Sequence, residues 1–166
     1  MLNEPRVLLL YPPEQNWSDT LCKPNGSLAY PMLGGALRDI GVDVEVYDAC
    51  VGNDDDDFNK FFFNPTKLKT GLLRTGVTDE RILNVAKDFD FIGITSIFSL
   101  QETMVLHCCR LIKEHFPEKI LFSGGVNARA RYDVIKICYI KSPIRIHHSS
   151  DGSTPSTRTT GPTPIN

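Results

Sequence analysis

No two cysteines in this sequence stand at the CxxC spacing of zinc sites, and no CxxxCxxC cluster is present to hold an iron–sulfur cluster. The five cysteines show no paired spacing, and unpaired thiols fit a reducing compartment. The apolar runs are only as long as a strand, and the amino terminus lacks the apolar region of a signal peptide. These absences predict a cytoplasmic protein with no membrane segment and no iron–sulfur cluster or metal site of its own.

An excess of positive charge is also missing. The 18 Lys and Arg are outnumbered by 20 Asp and Glu, and the basic residues are scattered, so we expect no binding of a nucleic-acid backbone. His147 and His148 have no further ligands at useful spacing and are not predicted to bind a metal. The four carboxylates of Asp54 to Asp57 repel one another, which predicts a solvated loop rather than a cation site.

The sequence does contain an alternation of strands and amphipathic helices. Short apolar runs predict four strands, at Arg6 to Tyr11, Val42 to Val46, Phe91 to Thr95 and Lys119 to Phe122. Helical spacing of apolar residues links them, at Leu33, Ala36, Leu37 and Ile40, then from Asp79 to Phe89 and from Val105 to Phe116. This order predicts an α/β fold with a doubly wound, Rossmann- or flavodoxin-like parallel sheet.

The composition also divides the chain. Residues 1–132 are predicted to form the α/β domain, with residues 49–77 as an insertion that shows no sustained period. Residues 133–148 allow one strand, and residues 149–166 are rich in Ser, Thr, Pro and Gly, which predicts a disordered low-complexity tail. The abrupt change at about Asp133 favours a truncated or frame-shifted chain, with a sheet left incomplete after its fourth strand.

Three loops follow the first, third and fourth predicted strands, at the edge where open parallel sheets bind ligands. Prolines fix an extended rim, hydroxyl groups offer hydrogen bonds, and paired glycines let backbone approach a flat ligand. The predicted binding residues are Tyr11, Pro12, Pro13, Thr95, Ser96, Ile97, Phe98, Gly124, Gly125, Val126 and Asn127. The alternative is purely structural: Pro-Pro ends a strand, Ser96 caps a helix and Gly-Gly makes a turn.

These loops also carry a family resemblance. Residues 6 to about 132 resemble the amino-terminal cobalamin-binding domain of radical S-adenosylmethionine enzymes in RVLLLYPP, SLAYPMLGGALRDIGVDVEVYDA, DFDFIGITSIFSLQ and ILFSGGVNA. The resemblance implies that Ser96, Gly124 and Gly125 line a slot for the nucleotide tail of cobalamin. In the wider family a DxHxxG loop supplies a histidine to cobalt, whereas YPPEQN stands here, which implies cobalamin without a histidine ligand, its cobalt facing Pro12 and Pro13.

The resemblance implies a function as a cobalamin-binding module. It would be part, or a remnant, of a radical S-adenosylmethionine methyltransferase or cyclase, with the radical domain as its partner. No catalytic residue is predicted in this chain. The alternative is a flavodoxin-like signalling or protein-interaction domain without a cofactor, which a phosphorylatable aspartate after the first strand would favour. A small nucleotide-dependent enzyme is a third reading, although the sequence shows no P-loop and no dinucleotide glycine fingerprint.

An incomplete sheet leads to a testable expectation. Without a fifth strand, the fourth strand is an unprotected edge and one helix layer is incomplete. We therefore predict low stability and a tendency to associate, to be measured by light scattering and thermal unfolding over a range of protein concentrations. A cooperative unfolding transition in a preparation that stays monomeric would contradict this prediction.

Overall fold

The computed structural model describes residues 4–17 and 27–137, which form a parallel four-stranded sheet, a small antiparallel sheet and the connecting helices. In chain order the elements are β1 (Arg6–Tyr11), β2 (Glu14–Asn16), α1 (Ala29–Asp39), β3 (Asp43–Asp48), α2 (Phe58–Phe62), β4 (Thr66–Lys67), β5 (Leu73–Thr75), α3 (Asp79–Ala86), β6 (Phe91–Thr95), a 3-10 turn (Ser99–Gln101), α4 (Glu102–His115), β7 (Ile120–Gly124), α5 (Val126–Ala130) and α6 (Tyr132–Ile137). Within these ranges, no helix has the length and apolar character needed to cross a bilayer.

The main sheet has the strand order β3-β1-β6-β7, and every neighbouring pair is parallel. The order confirms the predicted doubly wound α/β fold. β1 lies in the middle because its apolar run suits a strand that is covered on both faces. β3 lies at the edge, where Val44 is buried and the preceding Asp43 is exposed. Among the described residues β7 forms the opposite edge.

Helices cover both faces of this sheet. Successive strand residues point to opposite faces, so Leu8 and Leu10 of β1 pack under α3 and α4, whereas Leu9 packs on the side of α1. The first core cluster is the larger one and includes Ile92 of β6 and Ile112 of α4. The two clusters together hold α1 on one face and α3 with α4 on the other, as in a doubly wound sheet.

The buried face of α1 differs from the predicted one. Of the predicted apolar face, only Leu37 packs against the core, while Leu33 is 51% exposed and Ile40 is 75% exposed. The sheet-facing positions are instead Tyr30 and Gly34. A Cβ at Gly34 would lie 3.2 Å from Val46 Cγ2, so the small residue lets the helix approach β3 closely. A helix face that packs through a glycine has no apolar side chain at that position, so the apolar pattern of the sequence does not predict it.

Tyr30 joins α1 to the ends of two strands. Its hydroxyl donates to the carbonyl oxygen of Leu10 at 2.5 Å and accepts from the amide of Thr95 at 2.8 Å. The ring meets Tyr11 edge-on, with 6.2 Å between ring centroids. Burial raises the pKa of Tyr30 well above its usual range, so the hydroxyl keeps its proton. The contact lies between β1 and β6, where the winding direction of the sheet reverses.

Both ends of α3 are capped by side chains. The Oγ1 atom of Thr78 accepts from the amide of Arg81 at 3.2 Å, and Asp79 lies in the first turn as predicted. At the other end, the buried ammonium of Lys119 donates to the carbonyl oxygens of Lys87 at 2.7 Å and Phe89 at 2.6 Å. The residue predicted to open the fourth strand therefore also closes the end of α3.

The insertion at residues 49–77 has short elements that its sequence did not predict. It contributes α2, β4 and β5, and β5 pairs antiparallel with both β4 and β2. Phe62 is buried in the core cluster on the side of α1, whereas Phe63 is exposed and meets the Phe62 ring edge-on at 5.4 Å. Elements of two to five residues are too short to produce a detectable period.

Asp56 corrects the prediction of a uniformly solvated acidic loop. Its side chain is only 4% exposed and accepts from Arg81 Nε at 2.7 Å and from the hydroxyl of Tyr47 at 2.8 Å. Burial alone raises the pKa of this carboxyl, but hydrogen bonds from Arg81, Tyr47 and the amide of Asn53 outweigh burial, and the net pKa is lowered. Asp56 thus fixes the insertion to α3 and β3, while Asp54 is exposed as expected.

The chain remains helical beyond β7. α5 and α6 follow the last strand, and Ile135 is buried in the larger core cluster. Where the sequence allowed a strand between residues 133 and 148, residues 133–137 are helical. The remaining part of that segment, with His147 and His148, and the predicted tail at residues 149–166 lie outside the described residues.

Asp56→Asn should destabilise the protein by about 2 to 3 kcal/mol, because it leaves the Arg81 guanidinium without its charged partner in a largely buried site. Urea unfolding followed by circular dichroism measures the loss. Asp54→Asn, an exposed position in the same acidic run, is the control and should change the free energy of unfolding by less than about 0.5 kcal/mol.

The effect of Asp56 should also depend on pH. A lowered pKa in the folded state means that the carboxylate stabilises the fold above its unfolded pKa and loses this effect as the pH falls. The difference between wild type and Asp56→Asn should therefore shrink below about pH 4. A difference that stays constant from pH 7 to pH 3 would contradict the buried ion pair.

Tyr30→Phe tests the contact at the switch point. The substitution keeps the ring but removes the hydroxyl, which leaves the Leu10 carbonyl and the Thr95 amide without their partner and should cost about 1 to 3 kcal/mol. Amide hydrogen exchange should show lost protection at Thr95 and unchanged protection at Ile92, inside the same strand. Unchanged exchange at Thr95 would mean that the hydroxyl does not hold the strand ends.

Candidate ligand site at the carboxyl edge of the sheet

The second and third predicted loops meet at the carboxyl edge of the main sheet. Thr95 and Gly124 are register partners at the ends of β6 and β7, and the amide of Ser96 donates to the carbonyl oxygen of Gly124 at 2.7 Å. Parallel strands end at the same edge, which brings their following loops side by side. The sequence prediction that these loops are neighbours is consistent with this geometry.

Ser96 is fully buried and connects the two loops. Its carbonyl oxygen accepts from the amides of Asn127 at 3.1 Å and Ala128 at 3.2 Å, and its hydroxyl accepts from Asn127 Nδ2 at 2.8 Å. Ser96 therefore fixes the start of α5 and does not cap the helix that follows it. The role of Ser96 is therefore structural, because its three backbone partners are Gly124 at the end of β7 and Asn127 and Ala128 in α5.

The two glycines of that loop have different roles. Gly125 has a φ of +110°, and a Cβ there would lie 2.5 Å from the carbonyl oxygen of Ser96, so only glycine fits without strain. A Cβ at Gly124 would meet no heavy atom within 4 Å. Gly125 is thus required by the backbone, whereas Gly124 leaves open space beside the sheet.

That open space is an apolar groove of about 150 Å³ on the face of the sheet that carries α1. Every second strand residue points to this face, so β1, β6 and β7 all contribute to its floor. Its lining residues are Leu9, Ala29, Tyr30, Leu33, Gly93, Ile94, Thr95, Ile97, Phe122, Gly124 and Gly125. The volume is below the roughly 300 to 1,000 Å³ of drug-sized pockets, so the groove suits one ring system of a larger ligand.

Gly93 shapes this groove from the middle of β6. A Cβ at that position would lie 2.4 Å from the ring of Phe122, so the aromatic side chain can lie across the strand only because Gly93 has none. A glycine inside an apolar strand signals such a close approach, and this signal was present in the sequence. The sequence contained no comparable signal for Tyr30 and Phe122, because they line the groove only if they lie on the face of the sheet that carries α1.

The first predicted loop lies away from the groove. Tyr11, Pro12 and Pro13 are all buried, and none of them lines the groove. The Tyr11 hydroxyl accepts from Gln101 Nε2 at 2.5 Å and lies 3.4 Å from Glu14 Oε1, and burial raises its pKa well above the usual range. The structure therefore brings together the second and third loops around the groove and connects the first loop to them through Tyr11.

The edge is acidic on the side of β3. Asp48 ends that strand and accepts from the amide of Cys50 at 2.8 Å. Burial raises the pKa of Asp48, hydrogen bonds from the amides of Cys50 and Val51 oppose the rise, and the charge of Glu14 adds to it. The net pKa is raised. Carboxylates thus border the first loop, whereas the groove beside the glycine loop is apolar.

Several large apolar side chains next to the groove are exposed. Phe98 is 61% exposed and follows the lining residue Ile97, while Val126 is 75% exposed and follows Gly125. Met32 is also exposed and precedes the lining residue Leu33 on α1. Exposed apolar side chains around a cavity are typical of a binding site. Phe98 and Val126 are predicted site residues that can contact a ligand outside the groove.

Metal-binding geometry is not found in the described part of the chain, where no three His, Cys, Asp or Glu side chains form a group. The histidines of α4 lie away from the edge, and His107 Nε2 is 2.9 Å from Asp79 Oδ2 of α3. Arg131, which follows α5, pairs with Glu102 at 3.2 Å. The candidate site is therefore the groove, its apolar border and the hydrogen bonds beneath them.

Comparison with known proteins gives one informative relative. The chain is 30% identical over 128 residues to the cytidylyl-2-hydroxyethylphosphonate methyltransferase of Streptomyces wedmorensis, an alignment that covers 75% of this chain and 22% of the relative. No family model and no solved structure matches the chain. The chain is thus a distant homologue of one part of a much longer methyltransferase.

Proposed function

We propose that this chain is a cobalamin-binding module of a methyltransferase, and that the ligand lies along the carboxyl edge of the main sheet. The observation that supports it most directly is the apolar groove beside Gly124, at the edge where doubly wound sheets bind ligands. The groove accepts one flat ring system, and exposed apolar side chains border it. An elongated ligand with a ring at one end and a broad apolar face fits this arrangement.

The comparison supports the same proposal from an independent direction. The relative is a methyltransferase, and the aligned part covers three quarters of this chain but less than a quarter of the relative. This chain therefore corresponds to one part of the relative, and a part that binds a group carrier fits that correspondence. The three loops resemble those of the cobalamin-binding domains of radical S-adenosylmethionine enzymes, and this resemblance indicates that the carrier is cobalamin.

The residues of the edge fit the two ends of cobalamin differently. The base of the nucleotide tail is a flat, fused ring that the groove between α1, β6 and β7 would accept, because Gly124 leaves open space there and the Phe122 ring covers Gly93 with a flat apolar surface. The corrin would lie outside the groove, against Phe98 and Val126. Thr95 and Ile97 would contact the tail at the mouth of the groove.

The proposal includes cobalamin bound without a protein histidine. Pro12 and Pro13 are buried, so the first loop would support the corrin through its packing and would not supply a side chain as a ligand to cobalt. When bound, cobalamin supplies group-transfer and radical chemistry at its cobalt. The residues of this chain would bind and orient it, and the site for the methyl acceptor would belong to a radical S-adenosylmethionine domain outside this chain.

The proposal is tested by adding hydroxocobalamin to the purified chain in the dark, removing free ligand by gel filtration and recording the visible spectrum of the protein peak. Corrin absorbance should remain with the wild type. Gly124→Val should lower the affinity at least about tenfold without loss of stability, because its side chain occupies part of the groove and its Cβ meets no heavy atom within 4 Å.

Gly35→Val is the matched control. Gly35 also has no neighbour within 4 Å of its Cβ position, but it lies on α1 outside the groove, so corrin retention should not change. A wild type that folds and retains no corrin would exclude the cobalamin proposal and favour a domain that binds a partner without a cofactor. Equal loss in both glycine variants would exclude the groove as the site.

A further inference from the structure

The side chain of Gln101 makes three hydrogen bonds, which connect two loops of the site. It ends the 3-10 turn before α4 and is only 4% exposed. Its Nε2 donates to the Tyr11 hydroxyl at 2.5 Å, and its Oε1 accepts from the amides of Ile97 and Phe98, each at 3.3 Å. One amide side chain therefore connects the loop after β1 with the loop after β6.

The loop after β6 depends on this side chain for its conformation. At its start, Ser96 is fixed to Gly124 and Asn127 through the bonds described above. In the part of the chain that the structure describes, the amides of Ile97 and Phe98 donate to Gln101 alone. Partly buried amides that lose their acceptor favour other loop positions in which they meet water.

We propose that Gln101 is a positioning residue of the ligand site, which holds Ile97 and Phe98 in the orientation that the bound ligand requires. This inference rests on the proposed function. Gln101 does not line the groove, whereas Ile97 does and Phe98 borders it. Gln101 thus acts on the ligand only through the loop, and through Tyr11 it makes that orientation depend on the end of β1.

The amide group is suited to this position because it accepts and donates at once. Gln101→Met keeps the length of the side chain and removes all three hydrogen bonds. Gln101→Glu keeps an acceptor for the amides of Ile97 and Phe98 and can accept from the Tyr11 hydroxyl, but it adds a negative charge near Glu14. Tyr11→Phe keeps the two loop amides bonded and removes the connection of Gln101 to β1, together with the contact of the hydroxyl with Glu14.

The experiment combines the dissociation rate of bound cobalamin, followed by its visible spectrum, with amide hydrogen exchange at Ile97 and Phe98. Gln101→Met should release cobalamin about tenfold faster, because the binding-competent loop becomes a minor population, and should lose protection at both amides. Gln101→Glu should keep that protection and recover most of the slow release. Tyr11→Phe should fall between them. Thr103→Val, an exposed position in the first turn of α4, should match the wild type.

Each result decides one claim. If the wild type retains no cobalamin, the proposed function fails and the inference fails with it. If the wild type and Thr103→Val retain cobalamin and Gln101→Met releases it at the same rate, Gln101 does not position the loop and the proposed function stands. If Gln101→Met and Gln101→Glu lose cobalamin equally while only the former loses amide protection, the order of the loop does not control cobalamin release and the inference is wrong.

Discussion

The hydroxyl of Tyr30 occupies the position on which the carboxyl edge of the sheet depends. It joins the Leu10 carbonyl of β1 to the Thr95 amide of β6, at the point where the two strands begin to diverge. A side chain from α1 thus completes the hydrogen bonding of two strand ends, and it docks the helix in the same contact. Because Tyr30 also lines the groove between that helix and β6, the same contact connects the wall of the groove to the start of the loop after β6.

The site is built in two layers that differ in chemistry. The lower layer is polar and buried: Gln101 meets Tyr11, and Ser96 meets Asn127, so that each loop is bonded to the next. The upper layer is apolar and exposed. Buried hydrogen bonds fix the position and orientation of the loop backbone, because a buried polar group without a partner costs free energy. The apolar surface above them is then available for a ligand without further ordering of the loops.

The sequence predicted those features that depend on strand and helix patterning. The bounds of β1 and β6 agree with the structure because an uninterrupted apolar run between polar residues has few other interpretations. The docking face of α1 could not be predicted, since Gly34 contributes space rather than a side chain. Asp56 could not be separated from its acidic neighbours, because its partner Arg81 lies 25 residues further along the chain. The groove itself depends on which side chains are absent, a property of the folded sheet.

The groove alone does not account for the surface around it. A space of about 150 Å³ can take one ring system, yet Phe98 and Val126 remain mostly exposed beside it. A single exposed apolar side chain is common on a protein surface, whereas several beside one cavity are typical of a binding site. A ligand that enters the groove at one end and spreads over both side chains at the other would cover this surface. The shape of the edge therefore fits a ligand with a small ring and a large apolar face better than a compact nucleotide.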